Sequence, residues 1–233
     1  MNRYQSQFPQ RHALLPVVDV EYPAQAIRCA EIAFKEGADG IVLSNPNLSS
    51  ESLRICYEGV RKRFPDRWIG LNCIDCTAVR AIERMEHGMN GLWLDYPGIY
   101  DDKDRTAREA GKIANAHKER EENWCSFLLF GDVSFKFQSG ISNVQRAAEL
   151  AVPYLDVITT GDRNGSPPAL DKVKLVRVGA GRSPIAIVGR LTSENVEPYL
   201  EFADCFLVTF GAGNSPHPFT ARRIRKLVQA IGR

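Results

Sequence analysis

The stretch Pro184–Asn214, PIAIVGRLTSENVEPYLEFADCFLVTFGAGN, limits the fold more than any other part of the chain. It runs from an apolar strand through a glycine turn into a short helical segment, then Ala203-Asp204, a second apolar strand and a glycine-rich turn. Thr192 or Ser193 can cap the helix, and Glu194 falls in its first turn, where a carboxylate suits the positive end of the dipole. Two strands joined by one short helix cannot form a hairpin, so they lie parallel across a right-handed crossover. In a (β/α) barrel the turns after the seventh and eighth strands commonly hold a phosphate, and Gly189, Gly211 and Gly213 occupy such turns here.

The same alternation runs through the rest of the chain. After a polar arm over residues 1–12, Ala13–Val20 reads as a buried strand and Pro23–Lys35 as an amphipathic helix. Asp39–Ser44 is the second strand, and Ser49–Arg63 the next helix, with Ser49 or Ser50 as cap. Trp68–Ile74 and Thr77–His87 form the third pair, Gly91–Asp95 and the charged helix Asp101–Arg120 the fourth. Trp124–Lys136 contains the fifth strand, followed by helix Asn143–Tyr154, strand Leu155–Thr160 and the short helix Leu170–Val178. The count is eight strands and eight helices with almost nothing left over. An open doubly wound sheet can use this alternation, but eight complete units favour a closed α/β barrel, the (β/α)8 TIM barrel, as a single domain over residues 1–233.

Composition narrows the function classes. The chain carries 30 basic and 28 acidic residues, a net charge of +2, and no basic block, which argues against a nucleic-acid partner. The tail ARRIRKLVQAIGR sets Ile224, Leu227, Val228 and Ile231 at helical spacing and reads as a packed terminal helix. No apolar run approaches the ~20 residues that span a bilayer, so no membrane insertion is expected, and the chain reads as cytoplasmic. The 6 cysteines are scattered among apolar neighbours as reduced thiols. Cys73 and Cys76 are the one close pair, and a lone CxxC without nearby histidines is weak ground for zinc or redox work. No metal motif, nucleotide fingerprint or flavin signature supports a cofactor. A homo-oligomer is compatible with the sequence.

Period-two alternation sorts barrel-facing from helix-facing residues. Gly70 and Asn72 share one face of the third strand, Asp95 is in step with Trp93 on the fourth, and Asp132, Ser134 and Lys136 share a face of the fifth. Asp19 follows the apolar run of the first strand. Asp19, Asn72, Asp95, Asp132 and Lys136 thus sit at the carboxyl ends of strands, where barrel active sites are built. Aspartate with lysine supplies an acid–base pair or a Schiff-base lysine with its proton shuttle; salt bridges along the rim are the structural alternative.

The segment DVITTGDRNGSPPALDKVKLVRVGAGRSPIAIVGRLTSENVEPYLEFAD resembles the BtpA family, the photosystem I biogenesis group of phosphate-binding TIM barrels. The resemblance rests on Thr160-Gly161, Gly165 with Pro167 and Pro168, Val176-Arg177, Val188-Gly189, Thr192, Glu194-Asn195 and Ala203-Asp204. Upstream, IGLNC is similar to the family's Gly-x-Asn strand at Asn72, GDVSFK to its Ala-Asp-Val-x-x-Lys at Asp132 and Lys136, and Asn45 to its second-strand asparagine. The chain departs from the pattern at Asp19-Val20-Glu21, at Arg190-Leu191, at Phe137 and at Phe210–Asn214. At Arg190 two readings stand: a guanidinium offered to a phosphate, or one tied to a mouth carboxylate such as Asp162, closing the site.

The resemblance implies a barrel that binds a phosphorylated sugar or similar small anionic metabolite. If it catalyses, the expectation is lyase or isomerase chemistry with Asp132 and Lys136 carrying protons, and Asp95 and Asn72 positioning the substrate. Asp19, Asn45, Thr160, Gly161, Gly189, Arg190, Gly211 and Gly213 complete the expected binding surface. The alternative is a non-catalytic binding or assembly protein that retains the barrel without the chemistry.

Overall fold

Eight strands, each lined with buried side chains, account for the core: β1 Ala13–Asp19, β2 Gly40–Ser44, β3 Trp68–Asn72, β4 Gly91–Leu94, β5 Leu128–Asp132, β6 Val157–Thr160, β7 Ile185–Gly189 and β8 Cys205–Thr209. Each pairs in parallel with the next, and β1 pairs with β8, so the sheet closes. The structure is a computed structural model that describes residues 2–45, 47–134, 141–162, 165–210 and 218–232. The expected (β/α)8 barrel is the fold observed, and no described helix is long and apolar enough to cross a membrane.

Alternation decides which residues fill the barrel. Leu15, Val17, Val42, Trp68, Trp93, Leu128, Phe130, Val157, Val188 and Leu207 belong to one inner cluster, while their neighbours along each strand pack outward under the helices. Trp68 dominates the lower layers. Gly40, Gly70 and Gly91, on three adjacent strands, each lack a Cβ that would fall under 3.0 Å from its indole.

The helices are α1 Arg3–Gln7, α2 Pro23–Lys35, α3 Ser50–Arg63, α4 Ala78–Glu83, α5 Lys103–Asn123, α6 Val144–Ala151, α7 Leu170–Ala180 and α8 Ala221–Ala230. Two expectations need correction. Residues 1–12 are not simply a polar arm. Asn2 and Gln5 form a capping box for α1, and Tyr4 and Phe8, one turn apart, are 3% and 2% exposed at the amino-terminal end of the barrel. Tyr4 Oη donates to the Asp204 carbonyl at 2.7 Å, Trp68 Nε1 donates to Gln7 Oε1 at 2.7 Å, and the Phe8 ring lies 5.3 Å from that of Trp68. Two aromatic anchors, Tyr4 and Phe8, and the Gln7 contact to Trp68 outweigh the polar composition of this arm.

The second correction concerns the helix expected after β7, which is only a 3-10 turn, Glu197–Tyr199. Thr192 N–H donates to Asn195 Oδ1 at 2.7 Å and Glu194 N–H to Thr192 Oγ1 at 3.3 Å, so side chains hold backbone groups that a helix would have used. Similarly the helix expected over Thr77–His87 is capped by Thr77 and stops at Glu83, and Arg120 takes the Met85 carbonyl at 2.7 Å in place of a further turn.

Candidate functional site

Strand register brings a row of polar side chains to the carboxyl edge of the barrel: Asp19 lies beside Ser44, Ser44 beside Asn72, Asn72 beside Trp93, and Asp132 beside Thr159. Ser44 Oγ donates to Asn72 Oδ1 at 2.9 Å. Asn72 Nδ2 donates to the Trp93 carbonyl at 2.9 Å and to Asp95 Oδ1 at 3.2 Å. Trp93 Nε1 donates to Asp132 Oδ1 at 2.7 Å, and Thr159 Oγ1 donates to the same oxygen. The result is a hydrogen-bonded belt across five consecutive strands, with Asn72 and Asp132 each 1% exposed. Buried polar groups of this kind are stable only when paired, and the belt pairs Asn72 and Oδ1 of Asp132.

The predicted residues divide accordingly. Asn72, Asp95 and Asp132 are brought together. Asp19 stands at the rim, and desolvation, then the neighbouring Glu21 carboxylate, raise its pKa. Asn45 is 8% exposed and spends its side chain on backbone, donating to the Val20 carbonyl at 2.5 Å and accepting from Asn47 N–H at 2.6 Å. It shapes the β2 loop. Thr160 faces the helix layer with Ile158, and its hydroxyl has no hydrogen-bond partner among the described residues. Its neighbour Thr159 faces the barrel. Lys136, Gly211 and Gly213 lie outside the described residues.

Missed from the sequence were Ser44, Trp93 and Thr159 as members of the belt. Trp93 was in step with Asp95, which was a usable signal; the Thr159-Thr160 pair was ambiguous because both residues are alike and only the strand phase separates them.

Across the mouth, the end of β7 is built differently. Gly189 has φ +154°, and a Cβ there would stand 2.8 Å from the Ser166 carbonyl oxygen, so the β6–α7 loop lies directly on it. Arg190 N–H donates to the Gly165 carbonyl at 2.8 Å, and the Arg190 carbonyl accepts from Asn195 Nδ2 at 3.3 Å. The half-buried guanidinium lies over Gly165, with Nη1 3.1 Å from where a Cβ would be. Among the described residues it makes no ion pair, with Asp162 or any other carboxylate. Of the two readings of Arg190, the one that closes the site on Asp162 is therefore not what the structure holds.

Beside this turn, Thr192, Ser193, Thr220, Arg222, Arg223 and Lys226 line a pocket of about 280 Å³. Glu194 at its edge lies 3.7 Å from Lys226 Nζ, and hydrogen bonds from Ser193 and Thr192 hold its carboxyl down to about 2. Under the β6 end, Lys172 Nζ donates to the carbonyls of Gly161, at 2.8 Å, and of Ser134. Ser134, with φ +54°, is the one non-glycine residue at positive φ among those described. Asp19, Asp95 and Asp132 thus lie on the β1–β5 side, whereas on the β7–α8 side Arg190, Arg222, Arg223 and Lys226 outnumber the Glu194 carboxylate.

A larger cleft of about 620 Å³ lies outside the barrel wall between α4 and α5, lined by Ile74, Val79, Leu94, Tyr96, Tyr100 and Ile113, and it shares Asp95 with the mouth. Cys73 and Cys76 also line it; burial, then Cys76 and Asp75, push the Cys73 thiol up to about 12, which makes it a poor nucleophile at neutral pH.

No family model matches the chain, and no curated protein does. Solved structures do. The chain is similar to (S)-3-O-geranylgeranylglyceryl phosphate synthase from Thermoplasma acidophilum, solved with its substrate sn-glycerol-1-phosphate, at TM-score 0.68 and 12% identity over 99% of this chain and 98% of that one. It is similar to tryptophan synthase subunit alpha from Legionella pneumophila at TM-score 0.63 and 15% identity, covering 99% and 98% of the two chains. It is also similar to KGPDC from Streptococcus mutans at TM-score 0.63 and 16% identity, covering 95% and 98%. At such identities the likeness speaks for the architecture: the chain is a (β/α)8 barrel along its whole length.

Proposed function

We propose that the protein binds a phosphorylated sugar or a similar small phosphorylated metabolite at the carboxyl-terminal mouth of the barrel, as a member of the BtpA-like barrels. The observation that carries this reading is Arg190, a half-buried cation at the end of β7 without a carboxylate partner among the described residues. Taking a guanidinium partly out of water is costly unless an anion meets it, and a phosphate can do so in bidentate fashion. Gly189, Gly165 and the basic pocket at the start of α8 support the same side of the mouth for the phosphate, and Gly211 and Gly213, outside the described residues, follow β8 in the sequence. The sn-glycerol-1-phosphate bound by the similar Thermoplasma acidophilum synthase agrees with this ligand class.

The uncharged end of the ligand then lies toward the belt. Asn72 and Asp95 position it, and Asp132, with Lys136, exchanges protons with it in a lyase or isomerase step. A substrate with one anionic end suits a polarised mouth; a second anion near Asp95 and Asp132 would be repelled. The test is a calorimetric titration of wild type and Arg190→Ala with inorganic phosphate and a panel of sugar phosphates. The substitution should weaken all of them about tenfold to a hundredfold, the loss of one charge-assisted contact, with the melting temperature nearly unchanged. An unstable variant with unaltered or improved phosphate affinity would overturn the reading.

A further inference from the structure

The belt contains two residues whose placement goes beyond packing. Trp93 and Thr159 belong to β4 and β6, the strands on either side of Asp132, and both direct their donors at one oxygen, Oδ1. They are 3% and 0% exposed, so water does not compete for that oxygen. The Trp93 carbonyl accepts from Asn72 Nδ2 at 2.9 Å, and Asn72 is itself held by Ser44 and Asp95. Trp93 is therefore held at its backbone carbonyl by Asn72 and at its indole N–H by Asp132.

We infer that Trp93 and Thr159 are positioning residues for Asp132, saturating Oδ1, holding the carboxylate ionised, and making Oδ2 the oxygen through which it exchanges a proton with the ligand. An oxygen that already accepts two hydrogen bonds has no lone pair well placed for a proton, and donors aimed at the charged form oppose the desolvation that would neutralise it. In the acid–base step the proton leaves the ligand for Oδ2 while the electron pair stays on the ligand, and the proton returns from Oδ2 later. The charged side chains at the mouth on the surrounding elements are Asp19 of β1, Asp95 after β4, Asp162 after β6, Lys172 of α7, Arg190 after β7, and Lys136, which lies outside the described residues. This inference rests on the proposed role of Asp132 as proton carrier, but its test does not need the ligand.

The experiment follows the Trp93 indole N–H resonance and the Asp132 carboxyl ¹³C resonance through a pH titration of the intact protein. The two should move with one midpoint. Thr159→Val should raise that midpoint by about one to two pH units, a tenfold to hundredfold gain in proton affinity, and Thr159→Ser should restore it. Trp93→Phe, read at the carboxyl carbon, should move it in the same direction. Inorganic phosphate affinity should stay at the wild-type value in all three, whereas Arg190→Ala should lower it and leave the midpoint in place. An indole that does not follow Asp132, or folded Thr159→Val and Trp93→Phe proteins with the wild-type midpoint, would overturn the assignment. A loss of phosphate binding confined to Arg190→Ala would still stand in that case, so the two readings fail separately.

Discussion

A Cβ on Gly91 would stand 2.5 Å from Cζ2 of Trp68: the indole fills the space that the absent side chain leaves. The barrel floor is therefore matched to one bulky residue from β3, with glycines on β2, β3 and β4 around it. Gly91→Ala should cost about 1–3 kcal/mol of unfolding free energy, the usual range for overpacking, as measured by urea denaturation. Gly111, within α5, has nothing within 4 Å of its Cβ position. Gly111→Ala should instead stabilise by roughly 0.5–1 kcal/mol through helix propensity. Equal effects at the two sites would contradict the packing argument.

The aromatic closure by α1 gives a second test. Phe8→Ala should destabilise by about 3–5 kcal/mol, the range for a fully buried ring. If the variant unfolds at the wild-type urea midpoint, α1 does not contribute to the core.

Arg177 compensates for the helix that β7 lacks. Its guanidinium reaches the carbonyls of Phe202 at 2.6 Å and Ser183 at 3.0 Å, and Asp204 Oδ2 at 2.6 Å, which in turn accepts from Ile185 N–H at 2.9 Å. A lysine keeps the charge but not the planar fork. Arg177→Lys should cost about 1–2 kcal/mol in chemical denaturation. A neutral substitution would mean that the fork is not needed.

The acid limb of stability should carry a contribution from Asp75. Desolvation pushes its carboxyl up, but hydrogen bonds from the Ser50 hydroxyl and backbone N–H, with the Arg84 charge, leave it below the ordinary carboxylate value. A folded-state pKa below the unfolded one contributes stability above about pH 4 that is lost as the pH falls through the folded value. Asp75→Asn should flatten the decline of the urea midpoint below about pH 4 relative to wild type. Parallel curves for the two proteins would refute this linkage.

Much of the architecture was legible because β1 to β8 are near-continuous apolar runs separated by turns, which is the pattern of a parallel sheet buried on both faces. The segment 190–204 misled because Thr192, Glu194 and Asn195 form a sound helix start in sequence, and only their actual hydrogen bonds reveal a competing turn. Asn72, Asp95 and Asp132 could be found because a polar residue ending an apolar strand is conspicuous. Thr159 could not, since a threonine within a β-branched strand looks like any other strand former, and its role depends on which face the register gives it. Arg190 was visible, but its lack of a carboxylate partner is a three-dimensional fact.

The contact between Tyr4 and Asp204 joins residues 200 positions apart in the sequence. A chain growing from its amino terminus therefore exposes Tyr4 and Phe8 long before β8 exists to receive them. Closure of the floor is then coupled to the last strand pairing, β8 on β1, with a large loop-closure entropy to overcome before that contact contributes. Fragments that stop short of Asp204 should bear an unsatisfied aromatic patch at their amino end, so truncated or stalled chains of this barrel should self-associate through α1 whereas the complete chain conceals it.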